Sequence, residues 1–176
     1  MSITMRAASD SDIPAIAAIY AHHVSTDTAS FELEAPGAGE MQRRLKESVE
    51  RGFPYLVAED SGIGRVAGYA YAGAYRARTA YRYTVEDSVY VDAAYLRRGI
   101  GSALLRALIV RCEAQGYRQM VAIIGGSQNS ASIALHASLG FERAGVLRGV
   151  GRKFERWLDT VLMQRALGPG AGAPPE

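Results

Sequence analysis

Val89-Tyr90-Val91-Asp92-Ala93-Ala94-Tyr95-Leu96-Arg97-Arg98-Gly99-Ile100-Gly101-Ser102-Ala103-Leu104-Leu105 is the stretch on which the reading of this chain turns. Its first residues are β-branched and aromatic, as in a strand. A short connector leads to two glycines directly ahead of a run in which Leu104, Leu105, Leu108, Ile109 and Cys112 recur at helical spacing. The first backbone N–H groups of a helix lack intrahelical partners, and the helix dipole adds partial positive charge there. Glycines at that point let an anion reach the bare backbone. Strand, Arg-Arg-Gly-x-Gly and helix together therefore make a pyrophosphate cradle. No Lys follows the second glycine, so this is not the nucleotide loop ending in Gly-Lys-Ser/Thr. Leu104 stands where the dinucleotide fingerprint has its third glycine, so it is not that loop either.

At 176 residues the chain suffices for one domain that buries roughly 70% of its unfolded surface. A net charge of +2 gives no reason to expect nucleic acid or membrane as a partner. The single cysteine, Cys112, excludes an intrachain disulfide framework and fits a reducing compartment. No apolar run approaches the ~20 residues of a membrane span, and the N-terminus lacks a signal-peptide pattern. A cytoplasmic location is expected.

Working outward, residues 3–7 are β-prone, and Ser9 and Asp12 stand in capping-box spacing. Ile13, Ile16, Ala17, Tyr20 and Val24 then define a first amphipathic helix. His22 and His23 lie at its end, where positive charge suits the dipole; with no third ligand nearby, no metal site is expected. Residues 28–34, with Phe31, read as extended. A second helix is expected over 39–51, with Met41, Leu45 and Val49 at four-residue steps and Gly52 closing it. Strands are expected over 54–59 and 65–74, joined by a hairpin-like turn, and over 84–91 after a polar, aromatic loop. The glycine-opened helix should run over 99–115. Residues 119–124 are almost unbroken apolar, as in a strand buried on both faces. Asn129 caps a helix over 130–139, and two further strands fall between 141 and 165. Residues 168–176, rich in Gly, Pro and Ala, cannot bury a face and are expected to be disordered. The sum is one α+β domain over 1–167.

The segment Leu96-Arg97-Arg98-Gly99-Ile100-Gly101 resembles the acyl-CoA motif of the GNAT superfamily of N-acetyltransferases, Arg/Gln-x-x-Gly-x-Gly/Ala, with Leu96 in the slot usually held by Arg or Gln. The run from Asn129 through Ser132, Leu135 and His136 to Gly140-Phe141 resembles that superfamily's second block. The loop Tyr75-Arg76-Ala77-Arg78 and the strand Glu86-Asp87-Ser88-Val89-Tyr90-Val91 narrow the likeness to phosphinothricin acetyltransferases and relatives acting on methionine sulfone or sulfoximine. Ala122-Ile123-Ile124-Gly125 and Gly145-Val146-Leu147-Arg148 fit the same group. The resemblance implies a mixed, mostly antiparallel sheet of about seven strands flanked by about four helices. It also implies acetyl-CoA as acetyl donor, no metal, a homodimer, and a small amino-acid-like acceptor. A protein N-terminus, a polyamine, or a non-catalytic acyl-CoA-binding module are the alternatives.

Acetyl transfer to an amine requires an ammonium to lose its proton, a developing oxyanion to be stabilised and a thiolate to leave. By family position Glu86 is the base, and strand alternation puts it on one face with Ser88 and Tyr90; a bulge would bring Asp87 there instead. Pairing with a nearby arginine is the alternative role for Glu86. His136 fills the slot from which a Tyr usually protonates the thiolate, unless it is a core histidine. Backbone groups of Val89, Tyr90 and Val91 are expected along pantetheine. Arg97, Arg98, Gly99, Ile100, Gly101 and Ser102 are expected at the phosphates, with Asn129 and Ser132 also contacting the cofactor. For the acceptor, Arg78 and Arg76 answer an anionic head, with Phe31 and Tyr83 as walls. Cys112 sits on the helix's apolar face, so direct transfer is expected rather than an acetyl-enzyme.

Overall fold

A seven-stranded sheet in the order β1-β2-β3-β4-β5-β7-β6 organises the computed structural model, which describes residues 2–174. The strands are β1 (Ile3–Ala7), β2 (Tyr55–Asp60), β3 (Arg65–Ala74), β4 (Thr84–Val91), β5 (Gln119–Gly125), β6 (Glu142–Lys153) and β7 (Arg156–Ala166). Four α-helices complete the described fold: α1 (Ile13–Thr26), α2 (Ala38–Glu50), α3 (Ile100–Ala114) and α4 (Ser130–Ser138). Every neighbouring pair is antiparallel except β4 and β5, which the crossover through α3 makes parallel.

The two faces of the sheet are covered by different helices. On one, Leu104, Leu105, Leu108 and Cys112 of α3 are fully buried in a core that includes Ala70, Ala72, Val85 and Met120. Each such leucine contributes about 2 kcal/mol of burial. Gly68 of β3 permits the close approach: a Cβ there would stand 3.1 Å from Leu104 and 2.8 Å from the Tyr90 carbonyl oxygen. On the other face, Ile16, Tyr20 and Val24 of α1 and Met41 and Leu45 of α2 share a core with Tyr55, Val57, Tyr69 and Tyr90. The start of α1 is set as its spacing implies, with the Ser9 N–H donating to Asp12 Oδ2 at 2.8 Å. The Arg6 guanidinium clamps the same carboxylate from β1.

Several local expectations are corrected. Val49 is 53% exposed rather than part of the α2 stripe. Two four-residue steps from Met41 rotate a side chain about 80° around a helix of 3.6 residues per turn, which carries Val49 off the sheet. Residues 28–34, read as extended, run outside the sheet as an irregular loop with bends. Ile123 of β5 is 41% exposed, because it lies where β4 and β5 part. Residues 168–174, expected to be disordered, hold a 3-10 turn at Gly170–Gly172, with the Gly170 N–H donating to the carbonyl of the fully buried Leu167. The rest of that tail, residues 175 and 176, lies outside the described residues.

Candidate active site

The parallel pair joins only over Thr84–Asp87 and Gln119–Ala122. Beyond it, β4 continues to Val91 and β5 to Gly125, and the strands splay. Asp92 donates its N–H to Ala67 of β3, so Val91 turns its own backbone groups away from β3, into the opening. There the Val91 carbonyl accepts a bond from His23 Nε2 at 3.0 Å. A cavity of about 1000 Å³ occupies the splay; Phe31, Glu86, Ser88–Val91, Asn129, Ser132 and His136 all line it.

The register of β4 against β3 runs without a break from Gly68↔Val91 to Ala74↔Val85. With no bulge, Glu86 stays on the face of Ser88 and Tyr90, and Asp87 points to the α3 side. Burial holds the Glu86 carboxyl above its ordinary value; the Asp87 charge pushes the same way and the Arg76 guanidinium opposes both.

Asp87 has a partner of its own. Its Oδ2 lies 2.9 Å from Nε2 of His136, whose Nδ1 is 2.7 Å from the Ser132 carbonyl oxygen. A carbonyl and a carboxylate both accept, so each ring nitrogen donates and the imidazole is charged. Burial pulls the His136 pKa down, but the bond and charge of Asp87 outweigh it and the net shift is upward. Asp87 Oδ1 is buried with no hydrogen-bond partner among the described residues. As placed, both ring nitrogens of His136 are engaged within the fold.

Gly99 opens α3 at φ +78°, a left-handed conformation that glycine adopts without strain. The position of a Cβ on Gly101 lies 3.4 Å from Leu135 of α4 and 3.6 Å from Val91 of β4. The bare first turn of α3 thus abuts the mouth of the splay. Asn129 Oδ1 accepts from the Ser132 N–H at 3.2 Å, capping α4 beside the same opening. A strand edge that turns the Val89 and Val91 N–H groups outward and leads to a glycine-lined helix N-terminus fits a pantetheine arm ending in phosphates. Arg97 is also left-handed, at φ 58°, and the Arg98 guanidinium stacks on Tyr95 at 5.5 Å.

The expected residues fall into two groups. Phe31, Glu86, Val89, Tyr90, Val91, Asn129, Ser132 and His136 come together around the cavity. Arg76 reaches it through its charge on Glu86. Arg78, Tyr83 and residues 97–102 lie outside its lining; Arg78 is exposed and Tyr83 carries the Arg82 guanidinium over its ring at 4.5 Å. Sequence reasoning missed His23, Asp27 and the Asp87–His136 pair. His23 Nδ1 lies 2.6 Å from Asp27 Oδ2, and an i,i+4 His–Asp spacing at a helix end was the available signal. Cys112 is buried and its thiol is pushed up to about 12, which removes it as a nucleophile at neutral pH.

A parallel pair that splays beside a glycine-opened helix defines a GNAT-type acetyltransferase, and the chain belongs to that family: residues 5–162 match the acetyltransferase (GNAT) domain. Among individual proteins, it is 53% identical over 173 residues to a phosphinothricin N-acetyltransferase of Alcaligenes faecalis, covering 98% of this chain and 87% of that one. It is 44% identical over 174 residues to an L-methionine sulfoximine/L-methionine sulfone acetyltransferase of Pseudomonas aeruginosa, covering 99% and 100%. A Sinorhizobium meliloti phosphinothricin acetyltransferase crystallised with acetyl-CoA superposes with a TM-score of 0.96 at 46% identity, covering 100% of this chain and 94% of that one.

Proposed function

We propose that this enzyme transfers the acetyl group of acetyl-CoA to the α-amine of a small amino-acid-like acceptor of the phosphinothricin, methionine sulfoximine or methionine sulfone type. The observation that carries the reading is the Glu86 carboxylate, raised in pKa, lining the cavity where β4 and β5 separate. Similarity to enzymes named for those three acceptors supports it.

Acetyl-CoA, when bound, supplies the activated acetyl group as a thioester. Glu86 takes the ammonium proton of the acceptor, directly or through a water. The outward backbone groups of Val89 and the Val91 N–H align the acyl arm, with Tyr90 between them paired to β3, and an N–H on this edge polarises the thioester oxygen. His136 lines the cavity and returns a proton to the departing thiolate once one of its two N–H groups leaves its acceptor, Asp87 or the Ser132 carbonyl. The first turn of α3, residues 99–102, receives the phosphates with Arg97 and Arg98, while Asn129 and Ser132 bound the arm from α4. Arg76 pairs the acceptor's anionic head near Glu86, and Phe31 walls the pocket.

Arg78 and Tyr83, outside the cavity of one chain, belong to the acceptor site in a homodimer. Exposed Leu147, Val150, Phe154 and Trp157 on β6, β7 and their connecting turn support such an assembly. The free thiol and the absence of a membrane-spanning helix among the described residues accord with a cytoplasmic enzyme.

Glu86→Gln tests the assignment. It should bind acetyl-CoA as the parent does and lose about 10²- to 10⁴-fold in turnover. A parent chain that binds acetyl-CoA but acetylates no amine would favour a non-catalytic acyl-CoA-binding module.

A further inference from the structure

The loop after α1 crosses the splay as a strap tied at both sides. Toward β4, Asp27 holds His23, which holds the Val91 carbonyl. Toward β5, Thr28 Oγ1 donates to the Gly125 carbonyl at 2.9 Å. The Tyr20 and Ser30 hydroxyls lie 2.8 Å apart and fix the strap to α1. The final tie comes from Lys153, the last residue of β6, which is only 4% exposed. Its Nζ donates to the carbonyls of Asp27 at 2.9 Å and Ser30 at 2.7 Å. The chemistry outlined above makes no use of this buried cation.

Its position has a direct consequence for the next residue. The Ser30 carbonyl belongs to the peptide bond that carries Phe31, so the ammonium sets where that ring leaves the strap. The ring lies against bare backbone. A Cβ at Gly151 would stand 2.2 Å from it, and one at Gly125 would stand 2.7 Å from it. Two glycines leave room for the ring, and the strap determines that it fills that room. A buried ammonium is costly to desolvate and is retained only with hydrogen-bond acceptors; a methionine of similar length would fill the same space and hold nothing.

We propose that Lys153 is a positioning residue for the acceptor, acting through the strap at residues 27–31 to fix Phe31 across the cavity from Glu86. The inference rests on the reading of Phe31 as an acceptor wall. Lys153 touches neither the edge of β4 nor the first turn of α3; its one link to the β4 edge is indirect, through Asp27 and His23 to the Val91 carbonyl, so its main effect falls on the acceptor side.

The test compares the parent, Lys153→Met, Phe31→Ala and the double variant, using methionine sulfone, methionine sulfoximine and phosphinothricin as acceptors. Lys153→Met should raise the acceptor KM about tenfold or more while leaving the acetyl-CoA Kd within about threefold. The double variant should be no worse than the poorer single variant, because both act on one contact. If Lys153→Met does not fold, Lys153→Gln, which keeps two N–H donors, should show a smaller rise in the same KM with acetyl-CoA binding intact. An unchanged acceptor KM, additive losses, or acetyl-CoA binding that weakens in step with the acceptor would overturn the proposal. A parent inactive on all three acceptors would sink the acceptor reading and this inference with it. An active parent whose Lys153 variants keep their KM would sink the inference alone.

Discussion

His136 Nε2 and Asp87 Oδ2 lie 2.9 Å apart across the α4–β4 junction, with the two side chains 6% and 1% exposed. Two residues adjacent in sequence thereby face opposite sides of one strand: Glu86 lies with Ser88 and Tyr90, and Asp87 holds the imidazole on the other side. Removing one member of a buried pair leaves the other uncompensated, so Asp87→Asn should cost about 3 kcal/mol or more in a denaturant melt. It should also lower turnover through the loosened His136.

The same pair predicts a pH dependence of stability. The folded-state pKa of His136 is raised above 6.5, so the native state binds the extra proton more tightly than the unfolded chain. The stabilisation from this proton is complete below the unfolded value of 6.5 and is lost as pH rises through the folded one. Melts of the parent and His136→Gln should therefore differ most at mildly acidic pH and converge as pH increases. A gap that widens toward alkaline pH would show that His136 is neutral in the fold.

For Glu86 the reaction needs the ionised form. Because burial raises its pKa above 4.5, the acidic limb of kcat/KM should fall at higher pH than an ordinary carboxylate gives. The Arg76 charge opposes that rise. Arg76→Ala should move the limb to higher pH still, and Asp87→Asn should move it lower; pH–rate profiles of the three proteins check both directions.

Glycines under Phe31 separate stability from acceptor binding. At Gly151 the three atoms nearest an added Cβ all belong to the Phe31 ring, whereas at Gly125 the nearest is the Thr28 carbonyl oxygen at 2.1 Å. A ring can turn aside, but backbone yields at greater cost. Gly151→Ala should raise the acceptor KM with little loss in Tm, and Gly125→Ala should do the same with a further loss of about 1–3 kcal/mol.

Gly99→Ala probes the helix opening. Nothing lies within 4 Å of its Cβ position, so the only penalty is the left-handed backbone at φ +78°, about 1 kcal/mol. Calorimetry should show weaker acetyl-CoA binding, with the acceptor KM unchanged.

Most of the architecture was legible because its signals are local. The strand Thr84–Val91, the glycines at 99 and 101 and the Asn129 cap each announce themselves within a few residues. Val49 misled because a four-residue step drifts around a helix, and Ile123 because an apolar run does not reveal that the neighbouring strand departs. The Asp87–His136 pair, 49 residues apart, and the Lys153–Ser30 tie, 123 apart, depend on which residues the topology brings together. No periodicity encodes those distances. Family likeness pointed to Glu86 and His136 but carried no sign of the groups that hold them.

Thiol release from acetyl-CoA, measured with methionine sulfone, methionine sulfoximine, phosphinothricin, a polyamine and a short peptide, tests the central claim most directly. Saturable turnover on the first three alone, abolished by Glu86→Gln, is the predicted result. Turnover confined to the polyamine or the peptide would contradict the account of the acceptor site.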